Sequence, residues 1–189
     1  MAQPMGLGDI GGPQVVFKRQ FRWTFRVRNI CGEGQGLTEN FVKLAARPSL
    51  DIEETEIDYL HGKTWIPGKG AWQNITVTYY DVNTNQLQPL FRWLSSVYEF
   101  GTAQAPVTLR MASKREDYSA EGVLTLFDGC GTAMEKWSLR HLWPQSVNFG
   151  ELDYASSDIC TVELTMRYTN VKYENFCPGF SFEPCCDPC

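Results

Sequence analysis

Residues 15–28 alternate, with Phe17, Phe21, Trp23, Phe25 and Val27 on one side and Lys18, Gln20, Arg22, Thr24, Arg26 and Arg28 on the other. Side chains of an extended chain point to opposite faces with a period of two, whereas a surface helix places its apolar residues three and four apart. The segment therefore predicts a half-buried strand with a cationic outer face. The same period returns in Trp72 to Asp81, where Ile75, Val77 and Tyr79 oppose Asn74, Thr76 and Thr78. It returns again in Asp158 to Tyr173, where Cys160, Val162, Leu164, Met166 and Tyr168 oppose Thr161, Glu163, Thr165 and Arg167. Further strands are expected at Pro106 to Ser113, Glu121 to Phe127 and Met134 to Trp143, the last two joined through the turn sequence Asp128-Gly129-Cys130-Gly131-Thr132. Asn29 to Gly36 breaks the pattern, and Leu37 to Ala46 reads as a second strand or an irregular segment.

Leu50 to Leu60 carries five acids, Asp51, Glu53, Glu54, Glu56 and Asp58, and its apolar parity changes from Leu50 and Ile52 to Ile57 and Tyr59. A regular strand cannot change parity without a bulge or bend. His61 to Gly70, with Gly62, Pro67, Gly68 and Gly70, reads as a long hairpin tip before the strand that begins at Trp72. One helix is expected at about 86–100, because Leu87, Leu90, Phe91, Leu94, Val97 and Tyr98 recur at helical spacing, Pro89 suits a first turn and Gly101 a C-cap. No repeat of solenoid period is present.

The expected fold is mainly β: a closed or nearly closed antiparallel barrel or sandwich with one flanking helix. With 189 residues, 43% of them hydrophobic, one domain suffices. The reading divides the chain into an arm at 1–14, a barrel at 15–174 with a hairpin at about 48–72, and a cysteine-rich tail at 175–189. A net charge of -5 argues against a nucleic-acid coat or a basic membrane-surface protein. No run reaches the ~20 apolar residues of a membrane span, and Met1 to Pro13 lacks a basic-then-apolar leader, so synthesis and assembly in a cytoplasm are expected.

Catalytic chemistry finds little support. The two histidines are His61, in the expected tip, and His141, beside Trp143, and neither Cys130 nor Cys160 lies in a recognisable nucleophile signature. The acids at 51–58 lack calcium-loop spacing, and Ile66-Pro67-Gly68-Lys69-Gly70 lacks both the spacer and the Ser or Thr of a phosphate loop. Asn74-Ile75-Thr76 matches a glycosylation acceptor by chance inside a strand. No enzyme, cofactor or metal is expected. Of seven cysteines, Cys177, Cys185, Cys186 and Cys189 crowd the tail. A zinc site is weakened by the adjacent pair, and an odd total leaves at least one thiol free or intermolecular, which makes these four the candidates for inter-subunit disulfides.

The stretch Leu142-Trp143-Pro144-Gln145-Ser146-Val147-Asn148-Phe149-Gly150-Glu151-Leu152-Asp153-Tyr154 precedes a polar turn with Ser156, Ser157 and Asp158 and the strand Thr161 to Thr165. It resembles the C-terminal signature of T4-type bacteriophage tail tube proteins. Trp72 to Thr78, between a Gly-rich hairpin and the helix, resembles the same family's Trp-containing strand. The agreement in element order covers roughly residues 15–173.

The resemblance implies two packed antiparallel sheets forming a barrel, and hexameric rings stacked into the inner tube of a contractile tail. Such a tube lies within a sheath, between baseplate and tail terminator proteins, and passes genomic DNA without binding it, in a virion assembled in the host cytoplasm. By position, Leu50 to Gly70 is assigned to ring stacking, with Asp51, Glu53, Glu54, Glu56, Asp58, His61, Lys63, Trp65 and Lys69 as candidates. The strand faces are assigned to ring closure, with Arg22, Arg26 and Arg28 as candidates. The arginines need an acidic partner, and the acids at 51–58 of a neighbour are the expected one. The family ends near the position of Glu174, so the cysteine-rich extension lies beyond the resemblance. The alternatives are the tube of a related injection or secretion device, a monomeric ligand-binding β-barrel and a zinc-stabilised interaction module.

Overall fold

The computed structural model describes residues 18–34, 36–83, 85, 87–98 and 114–176. The tail cysteines 177–189, the expected strand at 106–113, the arm at 1–14 and Gly101 lie outside them. The described strands are β1 (Trp23–Arg28), β2 (Val42–Ala45), β3 (Leu50–Tyr59), β4 (Gly62–Trp72), β5 (Ile75–Tyr80), β6 (Ala120–Phe127), β7 (Ala133–Asn148), β8 (Thr161–Arg167) and β9 (Asn170–Asn175); α1 spans Gln88–Val97.

Antiparallel pairing runs β1-β6-β7-β8-β5-β2, with β9 also on β7, while β3 and β4 pair with each other. The architecture follows from β7. Its first half pairs with β6 as far as Leu142 and with β9 as far as Arg140, and its second half, from Trp143, pairs with β8. Near their junction His141 adopts φ 55, a left-handed conformation unusual for a residue with a Cβ, where β7 carries one residue more than β6. The bulge turns the strand from one sheet into the next, so the two layers share a strand. Val27 bridges back to Leu37, bringing the ends of the path together. Gly36 permits that closure, since a Cβ there would stand 2.2 Å from the Val27 carbonyl oxygen.

The core is what the alternation leaves inside. Phe25 and Val27 of β1, Ile75, Val77 and Tyr79 of β5, and Val162, Leu164 and Met166 of β8 are buried, together with Leu124, Leu139 and Leu142. These side chains form one core between the layers. α1 closes one flank with Leu90, Trp93 and Leu94. Trp93, absent from the expected helical stripe, is fully buried and donates Nε1–H to the Tyr118 carbonyl at 2.7 Å, whereas Phe91 and Tyr98 of that stripe are exposed.

Several boundaries differ from expectation for identifiable reasons. Of the strand expected at 15–28, residues 15–17 lie outside the described residues; among the described ones it starts at Trp23, and Phe21 is exposed. Leu37 to Ala46 resolves into a short 3-10 turn at Glu39–Phe41 followed by β2. The final strand is two strands, β8 and β9, broken at Tyr168 and Thr169. β7 continues beyond Trp143 through Pro144, because the β7–β8 register slips between Pro144 and Ser146 and a proline is tolerated at such a bulge. The helix stops at Val97, with Tyr98 extended, and so ends before Gly101.

Candidate assembly surfaces

The segment read as a long tip is a strand. β4 runs through Gly62, Pro67, Gly68 and Gly70, and the turn is confined to Leu60 and His61. In a two-stranded sheet each strand has an open edge, so Pro67 can sit there without removing a ladder bond. The hairpin extends a pair that begins in the barrel. Ala45 faces Val77 in β2–β5, Ala46 N–H donates to the Thr76 carbonyl and Gln73 N–H to the Ser49 carbonyl, each at 2.9 Å, and Leu50 then faces Trp72. β3 and β4 thus carry the β2–β5 ladder past the edge of the barrel.

Almost nothing on the projecting part is buried. Leu50, Ile52, Tyr59, Leu60, Trp65 and Ile66 are all exposed, Leu60 almost completely at 96%. The register slips between Ile52 and Glu54, against Gly70 and Pro67, which puts an extra residue in β4. This irregularity coincides with the parity change in the sequence. As a result each face changes character along its length. One face carries Leu50, Ile52 and Trp72 near the barrel, then Glu54, Glu56 and Asp58 with Trp65 and Lys63 towards the tip. The other carries Asp51 and Glu53 near the barrel, then Ile57, Tyr59 and Ile66 towards the tip. Lys63 pairs with Glu56 and, at 3.5 Å, with Asp58, and Gln73 Nε2–H donates to Asp51 at 2.7 Å. His61 and Lys69 are exposed.

The arginines of β1 are handled differently from expectation. Arg26 finds its acid inside the chain: Nε–H donates to Glu39 Oε2 at 2.7 Å, and Nη2 engages Glu39 Oε1. That hydrogen bond holds the Glu39 carboxyl below the usual carboxylate range despite partial burial, with the Arg26 and Arg28 charges assisting. A neighbour's acids are therefore not required for Arg26. Arg22 lies over the Phe21 ring at 5.3 Å, and Arg28 is exposed.

A buried charge that the sequence reading missed lies near the start of β7. Glu135 of β7 is fully buried and receives Lys18, Arg47 and the Trp137 Nε1–H, the last at 2.6 Å. Burial pushes its pKa up, but the Lys18 and Trp137 hydrogen bonds and the Arg47 charge outweigh that, and the carboxyl stays below its ordinary range. Lys18 precedes β1 and Arg47 precedes the hairpin, so one carboxylate ties both segments to the central strand. The signal was parity: Glu135 shares its side of β7 with Leu139.

A second exposed apolar surface forms at the far end of β5 and β8. Phe91 of α1 stacks on Phe149 with ring centroids 6.2 Å apart and planes 3° from parallel. The 149–160 segment adds Leu152, Tyr154 and Ile159, all exposed, with Glu151, Asp153 and Asp158 between them. Of the cysteines among the described residues, Cys31 is half-buried, its Sγ 3.3 Å from Ser96 Oγ, and Cys130 and Cys160 are exposed free thiols. No group of His, Cys, Asp and Glu among the described residues is arranged to hold a metal ion.

No known protein family and no curated protein matches this chain by sequence. Solved structures match it by shape. The tube-terminating cap of the anti-feeding prophage aligns with a TM-score of 0.63 at 13% identity, covering 90% of this chain and 99% of its own. A chain of the PVC extracellular contractile injection system, from its sheath-tube complex in the extended state, aligns at 0.57 and 17% identity over 91% of this chain and 99% of its own. The SPP1 tail tube aligns at 0.55 and 10% identity over 84% and 80%. By shape, this chain has the fold of the tube and cap proteins of phage tails and contractile injection systems.

Proposed function

We propose that the protein is a structural, non-enzymatic subunit of a contractile bacteriophage tail tube, forming hexameric rings that stack into the conduit for genome delivery. The carrying observation is the hairpin. A free two-stranded hairpin is marginally stable in water, and here it exposes Trp65, Ile66, Tyr59 and Leu60, a cost that makes sense if another subunit covers them. Sheath, baseplate and terminator proteins are the further partners of such a tube, and the virion tail is its location. DNA passes without being held, consistent with the net negative charge. The same shape serves injection devices, and the matches to the anti-feeding prophage and PVC proteins favour that as the second reading.

Asp51, Glu53, Glu54, Glu56, Asp58, His61, Lys63, Trp65 and Lys69 belong to the stacking surface in this proposal, and Arg22 and Arg28 to ring closure, with Arg26 bracing the subunit through Glu39. Cys177, Cys185, Cys186 and Cys189 are the sites of covalent linkage between copies. Electron microscopy of the purified protein tests the assignment. Sixfold rings or hollow tubes are expected, and a strict monomer at millimolar concentration, also in the presence of preformed tube ends, overturns it. Covalent multimers that collapse to 21.5 kDa with reductant are expected on a gel; monomer in both lanes overturns the linkage alone.

A further inference from the structure

Two surfaces of this chain expose large apolar groups close together, and they lie at opposite ends of the same strands. The hairpin leaves the barrel beside Ile75 and Met166, where β5 begins and β8 ends. The surface of Phe91, Phe149, Leu152, Tyr154 and Ile159 lies beside Tyr80 and Thr161, where β5 ends and β8 begins. Two different patches at opposite ends of one chain suit a heterologous, head-to-tail contact, and each such contact leaves a free patch at either end for the next copy.

Reach is sufficient. At ~3.3 Å per residue, β3 (Leu50–Tyr59) projects about 30 Å, against about 17 Å for the strand β5 (Ile75–Tyr80) that separates the two ends. Charge selects the face. The 149–160 segment carries Glu151, Asp153 and Asp158, so the hairpin face bearing Glu54, Glu56 and Asp58 would be repelled, since like charges brought together oppose association. The opposite face offers Ile57, Tyr59 and Ile66 and, towards the tip, Thr55, Thr64 and Gly62, with no charge.

We infer that the uncharged tip face of the hairpin, centred on Tyr59 and Ile66, docks on the Phe91–Phe149 surface and 149–160 segment of a second copy of this chain. The inference rests on the stacking proposed above and names its receptor. The acidic tip face, with Trp65 and Lys63, lies outside this contact and is left to the other contacts of the stack.

The test replaces Tyr59 with the photoreactive residue p-benzoylphenylalanine, in full-length protein mixed from light and heavy-isotope copies, with adducts mapped by mass spectrometry. Mixed-isotope adducts to residues 149–160 or 88–98 are expected. Adducts to another stretch of a second copy, in particles that still form tubes, overturn the receptor and leave stacking intact. Absence of both tubes and mixed adducts at millimolar protein overturns the inference and the stacking together. Tyr154, fully exposed, supplies an independent check: Tyr154→Asp should slow tube growth at least tenfold with an unchanged melting curve, and growth at the wild-type rate overturns the docking.

Discussion

The β2–β5 pair and the β3–β4 pair are one continuous ladder, yet they obey different rules. In β5 every second residue is buried, and Ile75, Val77 and Tyr79 lie under a second layer. A few residues away the same ladder buries almost nothing. Hydrogen bonding is equally regular in both parts, so backbone pairing alone does not determine where stability resides. The barrel half is held by apolar burial, which at about 25 cal/mol per Å² dominates folding. The hairpin half has pairing and a few surface ion pairs worth about 0–1 kcal/mol each, and its apolar side chains are available for a contact between molecules.

Substitutions in the two halves should separate stability from assembly. The largest effect belongs to the core: Phe25→Ala removes a fully buried ring and should cost about 4 kcal/mol, read as a lowered denaturation midpoint, with assembly lost only because the subunit unfolds. Gly36→Ala forces a Cβ against the Val27 carbonyl and should cost ~3 kcal/mol by overpacking, measured in the same way; an unaffected midpoint would show that the barrel's seam is loose.

Glu135→Gln sits between the two halves, because Arg47 lies at the hairpin's root. Losing charge-assisted hydrogen bonds should destabilise the subunit by about 2 kcal/mol at neutral pH. The folded-state pKa of Glu135 is depressed, so its contribution is present above the unfolded-state value of about 4.3. That contribution disappears as pH falls through the lower folded value. Wild type and variant should therefore draw together in urea titrations as pH falls below the unfolded-state value of about 4.3, and a gap independent of pH would assign the loss to packing. Arg26→Ala breaks a half-exposed pair and should cost below about 1 kcal/mol. Trp65→Ala, on the hairpin, should change the midpoint by less than ~0.5 kcal/mol while abolishing tube growth in turbidity or microscopy. A large fall in subunit stability instead would place Trp65 in the barrel's own energetics and erase the contrast.

What could be read from the sequence divides along the same line. β1, β5 and β8 were visible because each has one wet face and one dry face, and Phe25, Val77 and Leu164 mark the dry one. β4 was hidden because its composition follows a different constraint: with both hairpin edges open, glycine and Pro67 carry no penalty that would exclude a strand, so turn chemistry and strand chemistry look alike. The bulge near Ile52 was legible through parity, although the extra residue lies on the partner strand. Trp93 escaped because the apolar stripe of α1 is wider than the spacing chosen for it. The Glu135 site was illegible in its partners, since Lys18 and Arg47 are 117 and 88 positions away and long-range ion pairs leave no local period.

The pairing order also sets a timetable. The hairpin closes between neighbours in sequence, Tyr59 with Gly62, and such local closures take microseconds. β1 must find β6, Trp23 against Leu126, across most of the barrel's length, and chains dominated by distant pairings fold in milliseconds to seconds. A newly made subunit would thus present its adhesive arm before its barrel is complete. The acids Glu54, Glu56 and Asp58 would then serve as gatekeepers, since like charges on two free hairpins repel.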